Sequence, residues 1–158
     1  MSVVDVLTPE QRKFNMRRIK GQDTRLELMV RRELHARGFR FRLHRKDLPG
    51  SPDLVFPKYR VCLFVNGCFW HGHDCNKFKL PTTRREFWEN KITGNRERDR
   101  RVIALLNEEN WRVLTVWECA IRGAERLPME DVIHNCITFM QFETSRLASE
   151  IRSNPQAQ

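Results

Sequence analysis

Apolar residues recur at every third or fourth position in several parts of the chain, which is the spacing of an amphipathic helix. The clearest example covers residues 24–38, where Asp23 is placed to cap the start of the helix. A preceding helix is predicted to begin at Thr8, because a hydroxyl residue followed by proline is typical of a first turn. A long helix is predicted over 84–109 and a last one over 129–151.

Other parts of the chain carry the patterns of β-strands. Residues 39–44 alternate apolar and basic side chains, which predicts a strand with one solvated face. A further strand begins at 53–56, and residues 59–65 and 111–117 are almost continuously apolar, which favours strands covered on both faces. The order helix, helix, three strands, helix, strand, helix predicts an α/β fold with a mixed β-sheet flanked by helices.

The composition indicates a single globular domain over residues 1–158, with a flexible tail at 152–158. Hydrophobic residues make up 40% and charged residues 31% of the chain. The formal net charge of +9 suits a polyanionic partner, most often nucleic acid, although a merely soluble basic protein can carry the same charge. No apolar run is long enough to span a membrane, and the first residues lack the layout of a signal peptide, so we expect a cytoplasmic protein.

Metal-ligand residue types are concentrated in one segment, NGCFWHGHDC. It contains Cys68, His73 and Cys75, and three ligands from one short loop are typical of a structural zinc site with four thiolate or imidazole ligands. The fourth ligand must come from another position. Cys119, just beyond a predicted strand, is one candidate, and His71 in the same segment is another.

Two large aromatic residues, Phe69 and Trp70, stand between these metal ligands. They either pack inward, or the metal-bound loop holds them out so that they wedge between the base pairs of a nucleic acid. Trp88, on the following basic helix, could join them. The residue pattern alone favours the inward position, which is the usual one for aromatic side chains.

An aspartate, Asp53, stands at the head of an apolar strand. A carboxylate there is costly to desolvate unless a cation meets it, and that cation is either an arginine or Mg²⁺. If Asp53 holds a metal ion and His71 deprotonates water, the two form a hydrolytic pair for a phosphodiester. Glu27 on the second predicted helix reads as an ordinary solvated acid. Together with the charge, these features point to DNA as the substrate.

The sequence resembles the very-short-patch-repair (Vsr) endonucleases, a family of bacterial mismatch nickases. The resemblance covers residues 9–123 and rests on the motifs NMRRIKGQDTRLE, LPGSPDLVF, VNGCFWHGHDC, PTTRREFWENKI, NRERDRR and WRVLTVWECAIRG. It implies a restriction-endonuclease-like α/β fold that nicks one DNA strand. Family members cut 5′ of the thymine in a T·G mismatch, which arises when 5-methylcytosine deaminates.

The resemblance also implies roles for the acidic and histidine residues. Asp53 matches the carboxylate that binds Mg²⁺, and the carbonyl of Val65 matches a second metal ligand. His71 matches the catalytic histidine that activates water, and Glu27 matches an acidic residue near the site. Asn66 occupies a catalytic position where the best-known members have histidine. An amide cannot carry a proton charge, which argues against an acid role there.

Two further groups of residues are implied by the same resemblance. The first group holds the structural zinc ion, and the family pattern implies that Cys119 is the fourth ligand. Its members are Cys68, His73, Cys75 and Cys119. The second group inserts into DNA beside the mismatch, with a first helix lying against the minor groove. Its members are Phe69, Trp70, Trp88 and Met16.

The partner implied by the resemblance is double-stranded DNA with a T·G mismatch, together with other mismatch-repair proteins. No pattern in the sequence indicates a dimer interface, so we expect a monomer. Two alternatives stay open: a restriction-type endonuclease that cuts matched DNA on both strands, and a non-catalytic zinc-bearing module that only binds DNA.

Overall fold

The start of the first helix and the main body of the domain are described by a computed structural model, which covers residues 8–11 and 24–154. Residues 9–11 are helical, and Thr8 and Gln11 exchange two hydrogen bonds, from Gln11 N to Thr8 Oγ1 (3.2 Å) and from Thr8 N to Gln11 Oε1 (2.9 Å). This reciprocal cap confirms the predicted helix start. The predicted DNA-contacting residue Met16 and the predicted cap Asp23 lie outside the described residues.

A five-stranded mixed sheet forms the centre of the domain. Its strands are β1 (Arg42–Leu43), β2 (Leu54–Phe56), β3 (Val61–Asn66), β4 (Arg112–Trp117) and β5 (Ala148–Ile151). They lie in the order β1-β2-β3-β4-β5, with the first two pairings antiparallel and the last two parallel. The helices are α1 (Arg25–Ala36), α2 (Arg85–Glu108), α3 (Glu118–Ile121) and α4 (Met129–Gln141).

Helices cover both faces of the sheet because the buried strands alternate two sets of apolar side chains. One set packs with α1 and α4; its sheet members include Leu54, Phe56, Leu63, Leu114 and Val116. The other set packs with the C-terminal half of α2; its sheet members are Val55, Cys62 and Val113. The predicted α/β fold with a mixed sheet flanked by helices is therefore confirmed.

The long helix predicted over 84–109 is confirmed by α2, which runs for 24 residues. α1 begins with Thr24 as its cap, whose side chain accepts a hydrogen bond from Glu27 N at 3.2 Å. Across residues 8–11 and 24–154, no helix is both long and apolar enough to cross a membrane.

The C-terminal part of the predicted last helix is a strand, so the helix prediction over 129–151 is wrong beyond Gln141. α4 ends there, and β5 pairs in parallel with β4, with Val113 opposite Ala148. The residues between the two elements are mostly exposed, including the apolar Phe142 and Leu147, so this segment does not continue the buried stripe of the helix. β5 makes an edge strand, and its last residue, Ile151, is buried in the core.

Candidate active site and metal centre

The carboxylate of Asp53 is fixed at the carboxyl end of β3. Its Oδ2 accepts a hydrogen bond from the backbone N–H of Val65 at 2.8 Å. Burial raises the pKa of Asp53 to about 6, and the negative charge of Glu27 adds to this. The Val65 hydrogen bond and the charges of His44 and His71 act in the opposite direction. A cation beside Asp53 would therefore compensate a carboxylate that the fold holds in an unfavourable environment.

Glu27 lies beside Asp53 and is buried, with only 1% of its surface exposed. Its interpretation as an ordinary solvated acid is therefore wrong. Oε1 of Glu27 lies 3.1 Å from Nε2 of His44 and 3.5 Å from a guanidinium nitrogen of Arg31. Ligand atoms of Glu27, His44 and Asp53 all lie within 4.8 Å of one another, so that the three could hold a metal ion.

His71 lies in a cleft of about 320 Å³ between α2 and the carboxyl ends of the parallel strands. Nδ1 of His71 is 2.5 Å from Oδ2 of Asp99 on α2. Because the carboxylate engages Nδ1, the other ring nitrogen, Nε2, is the atom with which this imidazole could take up a proton. Asn66, the last residue of β3, lines the same cleft.

Asp99 was not predicted from the sequence, where it lies between arginines. The pattern that could have indicated it is helical spacing. Asp99 continues the stripe of α2 that faces the rest of the domain, together with Ile92 and Leu106, which are both buried. An acidic residue on an inward-facing stripe is expected to pair with a specific partner, because charged residues are rarely buried without one.

Four residues with sulfur or nitrogen ligand atoms, three of them buried, meet in a cluster that we call the cysteine–histidine knot. Its members are Cys68, His73, Cys75 and Cys119. Nδ1 of His73 lies 3.6 Å from Sγ of both Cys68 and Cys119. Zinc bonds of about 2.3 Å to sulfur and about 2.0–2.1 Å to nitrogen place such atoms ~3.6 Å apart in a tetrahedron. The knot could therefore hold a zinc ion.

The surroundings of the knot act in opposite directions on the thiolate, the form of cysteine that binds zinc. Burial raises the pKa of Cys68 well above its usual range, while backbone N–H groups point at the sulfurs. Cys119 N donates to Cys68 Sγ (3.4 Å), and Ser153 N donates to Cys119 Sγ (3.3 Å). Such donors stabilise charged sulfur ligands. His71 is not in this cluster, since its Nδ1 faces Asp99.

Arg152 and Ser153, just beyond β5, contact the knot and its loop. Besides the Ser153 hydrogen bond, Arg152 donates to the Asp74 carboxylate at 2.9 Å and to the Asp74 carbonyl at 3.0 Å. Residues 155–158 of the predicted tail lie outside the described residues.

The loop of the knot is fastened to α2. Asn95 donates to the carbonyl of Trp70 at 2.8 Å, and Arg96 donates through two nitrogens to the carbonyl of Gly72. Gly72 has a φ of 58°, and a Cβ there would come within 2.5 Å of Arg96 and of Ile92, so glycine is required. The guanidinium of Arg96 is therefore engaged by the protein itself.

Phe69, Trp70 and Trp88 form a cluster of rings, which we call the aromatic cluster. Ring centroids lie 5.2 Å apart for Phe69–Trp70, 5.4 Å for Phe69–Trp88 and 5.8 Å for Trp70–Trp88. All three side chains are partly exposed, and none belongs to a buried core cluster of the described residues. The inward packing that the residue pattern favoured is therefore wrong.

A basic α/β domain with a buried carboxylate that could hold a cation, a histidine–aspartate pair and a knot that could hold zinc has the features of a DNA-cutting hydrolase. Comparison with known proteins gives the particular family. Residues 4–77 match the family model described as DNA mismatch endonuclease Vsr. The DNA mismatch endonuclease Vsr of Escherichia coli is 49% identical over 128 residues, which is 81% of this chain and 82% of that protein. The chain belongs to the Vsr family of DNA mismatch endonucleases.

Two further relatives carry the name of nicking enzymes. The type II nicking enzyme V.XorIIP of Xanthomonas oryzae is 52% identical over 75% of this chain and 88% of its own length. The type II nicking enzyme V.NmeAIP of Neisseria meningitidis is 40% identical over 77% of this chain and 86% of its own length. The chain is therefore a DNA endonuclease and a hydrolase, as predicted from the sequence.

Proposed function

We propose that this endonuclease nicks one strand of duplex DNA, 5′ of the thymine of a T·G mismatch, in a reaction that depends on Mg²⁺. One observation carries the proposal. Asp53 is hydrogen-bonded to Val65, and only two residues separate Val65 from Cys68, where the knot with its aromatic rings begins. Groups suited to phosphodiester chemistry and rings suited to base stacking thus share one rigid frame.

In the proposed reaction, Asp53 and the carbonyl of Val65 would hold Mg²⁺, and Glu27 would add negative charge beside them. Bound there, Mg²⁺ would stabilise the negative charge that develops on the phosphate oxygens. His71 accepts the proton of the attacking water at Nε2, and Asp99 holds the ring through Nδ1 and stabilises its charged form. Asn66 offers hydrogen bonds inside the same cleft without carrying a proton charge.

Recognition in this proposal depends on deformation of the DNA. The aromatic cluster inserts beside the mismatch, and a T·G wobble pair unstacks at lower cost than a matched pair. The zinc-bound knot keeps Phe69 and Trp70 in place, while Trp88 extends from α2. The net charge of +9 supplies sequence-independent attraction to phosphates. We propose that the protein acts as a monomer in the bacterial cytoplasm, together with other mismatch-repair proteins.

The test is cleavage of duplexes labelled separately on each strand, with T·G in varied flanking sequences and a matched T·A control. A single nick 5′ of the mismatched thymine, present with Mg²⁺ and absent without it, is the expected result. The Asp53→Asn variant serves as the control and should bind the T·G duplex without nicking it. Cutting of the matched duplex on both strands would replace the proposal with a restriction activity. Binding without any cutting would indicate a DNA-binding module.

A further inference from the structure

A histidine that the proposed reaction does not use, His44, lies against the two carboxylates of the site. Its Nε2 is 3.1 Å from Oε1 of Glu27, and a ligand atom of each residue lies within 4.8 Å of one of Asp53. The side chain of His44 is 14% exposed and that of Glu27 2%. An imidazole and two carboxylates therefore share a small, largely dry space.

The backbone presents His44 to this space. His44 directly follows β1 and has a φ of 46°, in the left-handed region that residues other than glycine seldom occupy. Its N–H points to the carbonyl of Asp53, at 3.4 Å. This backbone contact connects the turn that positions His44 to Asp53, whose carboxylate the imidazole of His44 approaches.

The spacing of these atoms fits one octahedral ion. Ligands at right angles on an ion with bonds of about 2.1 Å stand ~3 Å apart, which is the separation of the His44 nitrogen and the Glu27 oxygen. The hydrogen bond from Val65 engages Oδ2 of Asp53, and the carboxylate has a second oxygen, Oδ1, that can serve as a ligand. Mg²⁺ prefers oxygen ligands, whereas imidazole suits transition metals.

We propose that His44, together with Glu27, is a direct ligand of the divalent cation held by Asp53, so that this site binds Mn²⁺ more tightly than Mg²⁺. The inference deepens the proposed function, because it concerns the same cation. A different arrangement would have the imidazole serve only as a counter-ion for Glu27, in the way that Arg31 does at 3.5 Å. The two arrangements differ in whether nitrogen bonds the metal.

Mn²⁺ binding to the zinc-loaded protein separates the two arrangements without any DNA. Titration followed by electron paramagnetic resonance gives the affinity, and pulsed measurements report nitrogen bonded to Mn²⁺. We expect a nitrogen coupling in the wild-type protein and Mn²⁺ binding at least tenfold tighter than Mg²⁺ binding. His44→Gln should remove the coupling and weaken Mn²⁺ binding about tenfold, while Mg²⁺ affinity changes less than threefold.

Two variants and one labelling experiment make the result specific. His71→Gln should keep the coupling, and so should His35→Gln, which changes an exposed histidine on α1. Labelling the wild-type protein with ¹⁵N-histidine should replace the ¹⁴N coupling to Mn²⁺ by a ¹⁵N coupling. Because this experiment needs no substitution, it still tests the proposal if His44→Gln fails to fold. A coupling that is absent from the wild type, or that survives in a folded His44→Gln protein, would overturn the proposal.

The proposed function can fail separately. If Mn²⁺ shows no nitrogen coupling but T·G duplexes are still nicked with Mg²⁺, His44 is only a counter-ion and the nickase proposal stands. If the coupling is present but T·G duplexes are not nicked, the cation site stands and the substrate proposal falls.

Discussion

Nδ1 of His71 lies 2.5 Å from Oδ2 of Asp99, which joins the loop of the knot to the middle of the long helix α2. The contact fixes the orientation of an imidazole that would otherwise turn freely in a loop. It also leaves Nε2 as the ring nitrogen available for chemistry in the cleft, because the carboxylate engages Nδ1. Asp99 is thus a positioning residue for His71.

Replacing this carboxylate should slow nicking without weakening DNA binding. Asp99→Asn keeps the size of the side chain but cannot stabilise imidazolium, and general base catalysis contributes roughly 10²–10⁴-fold. We expect the single-turnover nicking rate to fall at least tenfold and the equilibrium affinity for a T·G duplex to change less than twofold. Glu97→Gln on the exposed side of α2 is the matched control and should nick at the wild-type rate.

The sequence predicted the frame of this site better than its internal contacts. Alternation and helical spacing predict β2, β3, β4 and α2, because these elements bury whole faces. Helical spacing places Asp99 on the inward stripe of α2, but the partners of Asp99 and His44 could not be predicted in this way. Asp99 meets a loop 28 positions earlier, and His44 meets a helix 17 positions earlier. Local pattern carries no information on such pairs.

The C-terminal error has a related cause. Residues 129–141 carry a clear helical stripe, and a short, mostly exposed segment separates them from a four-residue edge strand, β5. A strand of that length shows too few alternations to be separated from a helix by period. Its pairing with β4, which puts Ile151 into the core and Ser153 beside the knot, comes from tertiary structure.

The pKa of Asp53 predicts a pH-dependent cost in stability. The folded pKa of about 6 lies above the ordinary value of 3.8, so the folded state binds the proton more tightly than the unfolded state. This contribution to stability is therefore fully present below about pH 4 and is lost as the pH rises through about 6, by about 3 kcal/mol. Asp53→Asn removes this loss, because an amide stays neutral and can still accept from Val65 N.

Urea denaturation of zinc-loaded protein without Mg²⁺, between pH 5 and pH 8, measures this difference. Asp53→Asn should be more stable than the wild type at pH 8, and the gap should narrow towards pH 5. Added Mg²⁺ should raise the stability of the wild type alone at pH 8. A gap that is constant over this range would show that Asp53 does not carry the shifted pKa.

Removal of one knot ligand should lower zinc content and stability together. Cys75→Ser leaves three ligands, and loss of a structural metal site removes binding energy that contributes to folding. We expect less than half a zinc ion per chain, compared with one in the wild type, and a fall in the unfolding temperature of several degrees. Cys136→Ala is the control, because Cys136 is buried in the core away from the knot and its loss should leave zinc bound.

Loss of a ring from the aromatic cluster should reduce discrimination between mismatched and matched DNA. Trp88 is partly exposed, with its ring 5.4 Å from that of Phe69 and 5.8 Å from that of Trp70, and stacking of an aromatic side chain on a base contributes about 1–3 kcal/mol. Trp88→Ala should therefore weaken binding to a T·G duplex roughly 5- to 100-fold and binding to a matched T·A duplex much less. Phe142→Ala is the matched control, since Phe142 is an aromatic side chain that is 77% exposed and lies just beyond α4, so its loss should change neither affinity. Equal weakening on both duplexes in Trp88→Ala would mean that the cluster contacts DNA without reading the mismatch.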